Sequence, residues 1–246
     1  MVARLLDGKL SVPTPRILLA DHSKALIDLS FVVMDRLDGK SLTTMERTLD
    51  GPDTRAIYVQ MGRSLREIHA IAMDSFGYIG AEGAVTHFPT NRTYMLSQFE
   101  RKLADFAQLT GRPELAQKLD ACVEHSTPLL DGCTAASLCH FDFHPGNVLA
   151  ARRGGSLHLT GIVDLENAIA GDPLMDLAKM LAYSVRDDET KRAGLLAGYG
   201  TIDRPDWHET LALYGFYSAL ELWAWWTQIG DHQRAAGIVA GLERYA

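Results

Sequence analysis

Apolar side chains recur at Ile57, Met61, Leu65, Ile68 and Ile71 behind Pro52-Asp53, and this spacing of one helical face predicts a helix over about 52–71. Residues 91–110 repeat the pattern with Tyr94, Phe99, Leu103 and Phe106, until Gly111-Arg112-Pro113 breaks it. Further helices are expected over 114–130, from Asp172-Pro173 to about Tyr183, over 187–197 and 207–229, and finally to Tyr245. Residues 1–10 read as the end of a helix stopped near Gly8, ahead of Val12-Pro13-Thr14-Pro15. Strand-like runs are shorter: Ile17 to Ala20 and Phe31 to Met34, with a polar turn around Asp21 to Lys24. No internal repeat is visible. The pattern is that of an α+β chain in which a small strand-bearing fragment precedes a mostly helical lobe.

One polar stretch stands out against this background. His140-Phe141-Asp142-Phe143-His144-Pro145-Gly146-Asn147 lies between two apolar runs, 135–139 and 148–150, so two short strands are expected to present it as a loop. A further strand-like run, Leu157 to Val163, ends in Asp164-Leu165-Glu166, and Gly154-Gly155 before it suits a hairpin turn. Pairing these strands would gather Asp142, Asn147 and Asp164 around one small volume, with oxygen donors that suit a hard divalent cation. An Asp, an Asn five positions later and another Asp beyond a hairpin is also the spacing of phosphoryl-transfer sites. There the first Asp takes the proton of the attacking hydroxyl, and the other two hold magnesium on the nucleotide phosphates.

Composition narrows the classes. With 246 residues, 47% of them apolar and 22% charged, the chain can bury a large core and has no low-complexity block. A net charge of −7 argues against a nucleic-acid partner and is compatible with a cationic substrate. Cys122, Cys133 and Cys139 show neither disulfide-framework nor metal-ligand spacing, which fits a reducing cytoplasm. The first ten residues are too short and too charged for a signal peptide. The run 211–229 holds Glu221 at its centre, Gln228 near its end and three tryptophans, so it reads as a buried amphipathic helix and no membrane span is expected.

At His140-x-Asp142-x-His144-Pro145-x-Asn147, Ile162-Val163-Asp164 and Gly171-Asp172-Pro173-x-x-Asp176-Leu177-Ala178, the chain resembles the aminoglycoside phosphotransferase and choline kinase group of small-molecule kinases. The fold of that group is like that of protein kinases. The His-Pro inside the loop and the Gly-Asp-Pro-x-x-Asp-Leu-Ala run are marks of this group, and too few residues separate Asp164 from Gly171 for a peptide-binding segment. Phe141 stands where many members have Gly, which implies a bulkier loop.

The resemblance implies ATP and Mg2+ as cofactors and a small-molecule hydroxyl, of an aminoglycoside-like or other cationic compound, as acceptor. It makes Asp142 the catalytic residue and Asn147 and Asp164 the metal ligands. It makes Asp35 (through its carbonyl) and Leu37 (through its amide) the adenine contacts at a hinge, with Met34 near the base. His140, Asp172 and Asp176 are read as structural support, and Glu221 and Asp231 as candidates to meet acceptor amino groups. Plainer readings stand beside these. Asp142 alone would be a turn cap, Asp172 before Pro173 is a helix cap, His144 shapes its loop, and His69 is a satisfied, partly buried histidine. Residues 34–37 could be an ordinary strand exit, and Glu221 and Asp231 part of a solvated acidic face.

Kinases of this kind carry, before the hinge, a phosphate-covering Gly-rich loop, a phosphate-binding Lys and a helix Glu that pairs with it. None is found among the first 30 or so residues. The expectation is therefore a truncated amino-terminal strand lobe: residues 1–38 as a remnant of the nucleotide-binding lobe and hinge, and 39–246 as the helical catalytic and substrate lobe. The alternative is a catalytically impaired nucleotide- or ligand-binding pseudokinase.

Overall fold

A computed structural model describes residues 2–80, 83–84 and 86–245. Helix α1 (Val2–Leu6) leads into β1 (Ile17–Asp21) and β2 (Phe31–Met34), which pair antiparallel with Ile17 opposite Met34 and Asp21 opposite Phe31. Most side chains of this ribbon stay in solvent, among them Leu18, Val33 and Met34. A two-stranded ribbon has little stability of its own. This one is tied down by buried Leu6 and Val12 beside it and by the Ile162 amide, which donates to Pro13 O at 3.0 Å.

Strand β3 (Lys40–Ser41) and helix α2 (Leu42–Glu46) follow, then α3 (Gly51–His69), whose predicted apolar face is buried. The Asp50 side chain caps α3 by accepting the Asp53 amide at 2.8 Å, with Pro52 in the first turn where its missing N–H costs nothing. Strands β4 (Ala72–Met73), β5 (Gly77–Gly80) and β6 (Gly83–Ala84) precede α4 (Asn91–Thr110). A reciprocal Thr90–Thr93 cap starts α4, and Gly111 ends it at φ 64°, the left-handed conformation glycine adopts without strain. Helix α5 (Pro113–Ser126) gives way to a 3-10 turn at Thr127–Gly132, earlier than the helix expected to reach 130.

Beyond it come β7 (Ala136–Cys139), β8 (Val148–Arg153), β9 (Ser156–Ile162) and β10 (Ile169–Gly171). The hairpin between β8 and β9 forms as expected, turning at Gly154 and Gly155 with φ of 57° and 86°. The strands flanking the polar loop do not share a sheet, however. β7 lies in the order β4-β7-β10-β5-β6, whereas β8 lies in β3-β8-β9, so the loop crosses from one sheet to the other. The two- to four-residue strands β3 to β6 and β10 are too short for any periodicity to reveal them.

Four helices close the chain: α6 (Leu174–Lys179), α7 (Glu189–Tyr199), α8 (Trp207–Gln228) and α9 (His232–Leu242), the last followed by a 3-10 turn to Tyr245. The single helix expected from 173 to 183 changes at Met180 into a wider π-helical segment that runs to Val185 and stops at Arg186, φ 53°. Part of the core lies between α4 and α8, where Phe99 packs on Phe216 and Tyr217, and Phe106 on Trp223, while α3 packs on α7. Among the described residues no helix is long and apolar enough to cross a membrane.

Helices α3 and α7 approach closely enough that a Cβ on Gly198 would run into Val59 backbone, and one on Gly194 would lie 2.7 Å from Arg55 O. Gly198→Ala should therefore destabilise the fold by about 1–3 kcal/mol, the range for overpacking a filled contact. Gly215→Ala on α8, where a Cβ meets nothing within 4 Å, should be neutral or slightly stabilising. Thermal melts of the two variants check this, and equal midpoints would contradict it.

Candidate active site

The loop from His140 to Asn147 is held from below by a carboxylate. Asp176, buried on α6, accepts the His140 amide at 2.7 Å and the Phe141 amide at 2.6 Å. Its Oδ2 also meets His69 Nε2 at 3.1 Å, and Tyr199 Oη reaches His69 Nδ1 at 2.9 Å. Burial raises the Asp176 carboxyl, but His69 and the loop amides overcome it and hold the group below the usual carboxylate range. His69, Cys139 and Asp176 are close enough together for a metal, yet both Asp176 oxygens already accept hydrogen bonds, so the cluster reads as a structural support. His69 is thus wholly buried and belongs to the loop's foundation, a role its position near the end of a helix did not reveal.

The same hydrogen bonds force Phe141 into a left-handed backbone, φ 63°. Here lies the reason for Gly at this position in the resembling family: a Cβ-bearing residue is strained there by roughly 1–2 kcal/mol. His140 spans the loop, its Nδ1 accepting the Asp142 amide at 3.3 Å and its Nε2 on Val163 O at 3.1 Å. Burial pushes its pKa down, which favours the neutral ring that this donor and acceptor pair requires. His144 Nδ1 accepts the Gly146 amide at 3.0 Å and shapes the turn before Asn147.

Three oxygen-bearing residues share this frame. Asn147 Nδ2 donates to Asp142 O at 3.0 Å and to Asp142 Oδ2 at 3.1 Å, which leaves the Asn147 amide oxygen for a cation. The Val163 amide donates to Asn147 O at 3.0 Å, so the next residue, Asp164, is fixed one step from Asn147. Asp164 has φ 64°, tolerable for Asp, and among the described residues it makes no ion pair. Asp142 is different: Lys179 Nζ lies 3.3 Å from its Oδ1 while donating to Phe141 O at 2.7 Å. Burial raises the Asp142 carboxyl, but His144 and Lys179 outweigh it and hold the group well below the usual range.

Asp172 sits behind α6. Its Oδ1 accepts the Leu174 amide at 3.0 Å, and its Oδ2 takes Arg204 Nη1 at 2.6 Å and Tyr214 Oη at 2.8 Å. Asp172 is therefore both a helix cap and the centre of a buried ion pair. Arg204 and Lys179 carry no sequence signal, because Arg204 lies 32 positions from its partner and Lys179 one residue past the motif. Replacing Arg204 by Met, which leaves the Asp172 charge buried without its counter-ion, is expected to cost about 3–5 kcal/mol of stability in a denaturant titration.

Two cavities lie at these residues, one at Asp164 and the other at the loop itself. One, of about 400 Å³, is bounded by Met34 and Val32 on the ribbon and by Asp164, Leu165 and Glu166 across from it. Asp35 spends its amide on Arg16 O at 3.0 Å, whereas Asp35 O and Leu37 N–H have no backbone partner among the described residues. Thr160 Oγ1 fixes the chain just beyond by donating to Asp38 O at 2.6 Å. The other cavity, of about 690 Å³, takes in Asp142, Lys179, Lys102, Glu221 and the Trp225-Trp226 pair. Glu221 thus lines the same cavity as Asp142. Asp231 does not line this cavity: its carboxylate caps α9 on the Arg234 amide at 3.0 Å and pairs with the Arg234 side chain.

The chain matches the family described as APH, phosphotransferase enzyme family, over residues 1–213. A curated relative, the probable acyl-CoA dehydrogenase IBR3 of Arabidopsis thaliana, is 23% identical over 212 residues, and the chain spans about a quarter of that protein's length, 83% of the chain against 25% of the relative. Among solved structures, the gentamicin complex of APH(2")-IIa is 18% identical with a TM-score of 0.68, over 98% of this chain and 77% of that one. Aminoglycoside phosphotransferase APH(4)-Ia is 18% identical with a TM-score of 0.70, over 100% and 82%. Its ternary complex with AMP-PNP and hygromycin B is 19% identical with a TM-score of 0.70, over 99% and 81%. These identities speak for the fold, which is mixed α and β and that of the aminoglycoside kinases. With residues 1–213 matched out of 246, the chain belongs to the phosphotransferase enzyme family.

Proposed function

We propose that this chain transfers the γ-phosphoryl group of ATP to a hydroxyl of a small molecule, with magnesium on the nucleotide. The observation that carries the reading is the hydrogen bonding of Asn147, which ties Asp142 on one side and the backbone just before Asp164 on the other. Asp142, kept ionised, accepts the proton of the attacking hydroxyl as its oxygen bonds to the γ-phosphorus, and the bond from that phosphorus to the bridging oxygen of ADP breaks. The oxygen donors of Asn147 and Asp164 suit Mg2+, which would neutralise charge on the phosphates. Asp35 O and Leu37 N–H, just past Met34 on the cavity wall, would offer one acceptor and one donor for adenine. Solved relatives in complex with ADP and with AMP-PNP support a nucleotide here.

The test is phosphoryl transfer from Mg-ATP to a panel of hydroxyl compounds, followed by phosphorus NMR, in the parent chain and in Asp164→Ala. The variant should transfer slower by at least about two powers of ten, since it loses charge stabilisation of the transferred group. Equal rates would remove the metal role. Nucleotide binding with no transfer to any acceptor would favour the non-catalytic reading.

A further inference from the structure

The cavity beside Asp142 is poorly made for a polycation. Its carboxylates are Asp142 and Glu221, and each already faces a lysine. Lys179 stands 3.3 Å from Asp142, and Lys102 stands 3.8 Å from Glu221. Burial pushes the Glu221 carboxyl up, and Tyr217 Oη donates to it at 3.3 Å. An ammonium entering here finds two like charges and no unpaired carboxylate. Of the two tryptophans, Trp226 is already covered by Arg234, 4.2 Å from the ring centre, which leaves Trp225 as the open ring.

Lys102 offers the opposite opportunity. Its side chain on α4 is only 14% exposed, yet among the described residues its ammonium makes no hydrogen bond, only the 3.8 Å pair with Glu221. At 3.8 Å Glu221 is near enough to pair in charge but beyond hydrogen-bond distance, so the three donors of this largely covered ammonium still lack an acceptor. Across the cavity Trp225 leaves half its surface in solvent, against Trp226 at a ring separation of 4.3 Å. Phe141 and Tyr183 extend the apolar lining.

Resting on the phosphotransfer reading above, we propose that the acceptor is a small hydroxylated acid with a ring-sized apolar body. The body lies against Trp225, the acid group meets Lys102, and the hydroxyl faces Asp142; a polycationic acceptor does not fit. The cavity, at about 690 Å³, has the size of an ordinary small-molecule site.

The test titrates the full chain with 3-phenyllactate, with the uncharged 3-phenyl-1,2-propanediol, with choline and with kanamycin, read by calorimetry and tryptophan fluorescence. Phenyllactate is expected to bind about tenfold or more tighter than the diol, the worth of one desolvated charged hydrogen bond, and choline and kanamycin more weakly still. Lys102→Met should abolish the preference for the acid and Lys102→Arg should keep it. Trp225→Ala should weaken the acid and the diol alike, and it serves as the second variant if Lys102→Met fails to fold. Kanamycin or choline binding tighter than phenyllactate, or an unchanged ratio in Lys102→Met, overturns the proposal. Because binding is read without turnover, selectivity for the acid with no transfer to any acceptor would sink the phosphotransfer reading and leave the acid as ligand only, whereas transfer to kanamycin would keep that reading and sink this proposal.

Discussion

Asp142→Asn is expected to fold as the parent does and to lose acceptor phosphorylation by two to four powers of ten, the worth of a positioned general base. The substitution is nearly isosteric. Its carboxamide oxygen can still accept the Asn147 Nδ2 hydrogen that the parent carboxylate accepts at 3.1 Å, so the loop keeps its shape. What disappears is the negative charge that Lys179 faces at 3.3 Å and that, on the proposed mechanism, takes the hydroxyl proton. Binding of Mg-ATP should change little, because the oxygens of Asn147 and Asp164, the proposed magnesium ligands, remain. The outcome is therefore a fall in kcat with nearly constant nucleotide affinity, measured by steady-state transfer and by calorimetry. A variant as fast as the parent would remove Asp142 from the chemistry, and a variant that loses nucleotide instead would give it a different role.

Asp176→Asn should cost stability rather than chemistry first. The parent carboxylate accepts three hydrogens, from the His140 and Phe141 amides at 2.7 and 2.6 Å and from His69 at 3.1 Å. A carboxamide has a single acceptor oxygen, and its NH2 would point at one or more of those donors. Two buried N–H groups face each other, and the expected loss is about 3–5 kcal/mol, the range for breaking a buried charged network. In a chain of this size that is roughly 10 °C in Tm. The pH dependence has a definite sign. The folded pKa of Asp176 lies below its unfolded value near 3.9, so its contribution is fully present above that pH and is lost as pH falls through the folded pKa. The parent should accordingly lose more stability than Asp176→Asn between about pH 5 and the acid transition. Parallel acid-unfolding curves would contradict this account.

Much of the molecule is legible from the chain alone, and the reason differs by element. Helices α3, α4 and α8 announce themselves because each runs 19 residues or more with one face buried against the core. The β8–β9 hairpin is readable from Gly154-Gly155, since a tight turn needs two residues at positive φ. The polar loop and the Asp beyond the hairpin are readable because their motif is a set of residue types at fixed separations within 25 positions, Asp142 to Asp164. The crossing of the loop between two sheets is not: β7 pairs with β10 and β4 through strands of two to four residues, and their register is set by packing. The same holds for the change of α6 into a π-helical segment, which no local propensity demands.

Sequence by itself determined the family, the long helices and the β8–β9 hairpin, and it singled out Asp142, Asn147 and Asp164 as candidates, because motif spacing and helical periodicity are properties of neighbours along the chain. Only the tertiary structure decided what stands opposite those donors. It brought Lys179 to Asp142, Arg204 to Asp172 and His69 to Asp176, and it set Glu221 against Lys102 while leaving Asp231 to cap a helix. The physical reason is that charge balance in a buried site depends on groups within a few ångströms through space, and these partners lie 32 to 119 positions apart for all but the nearest.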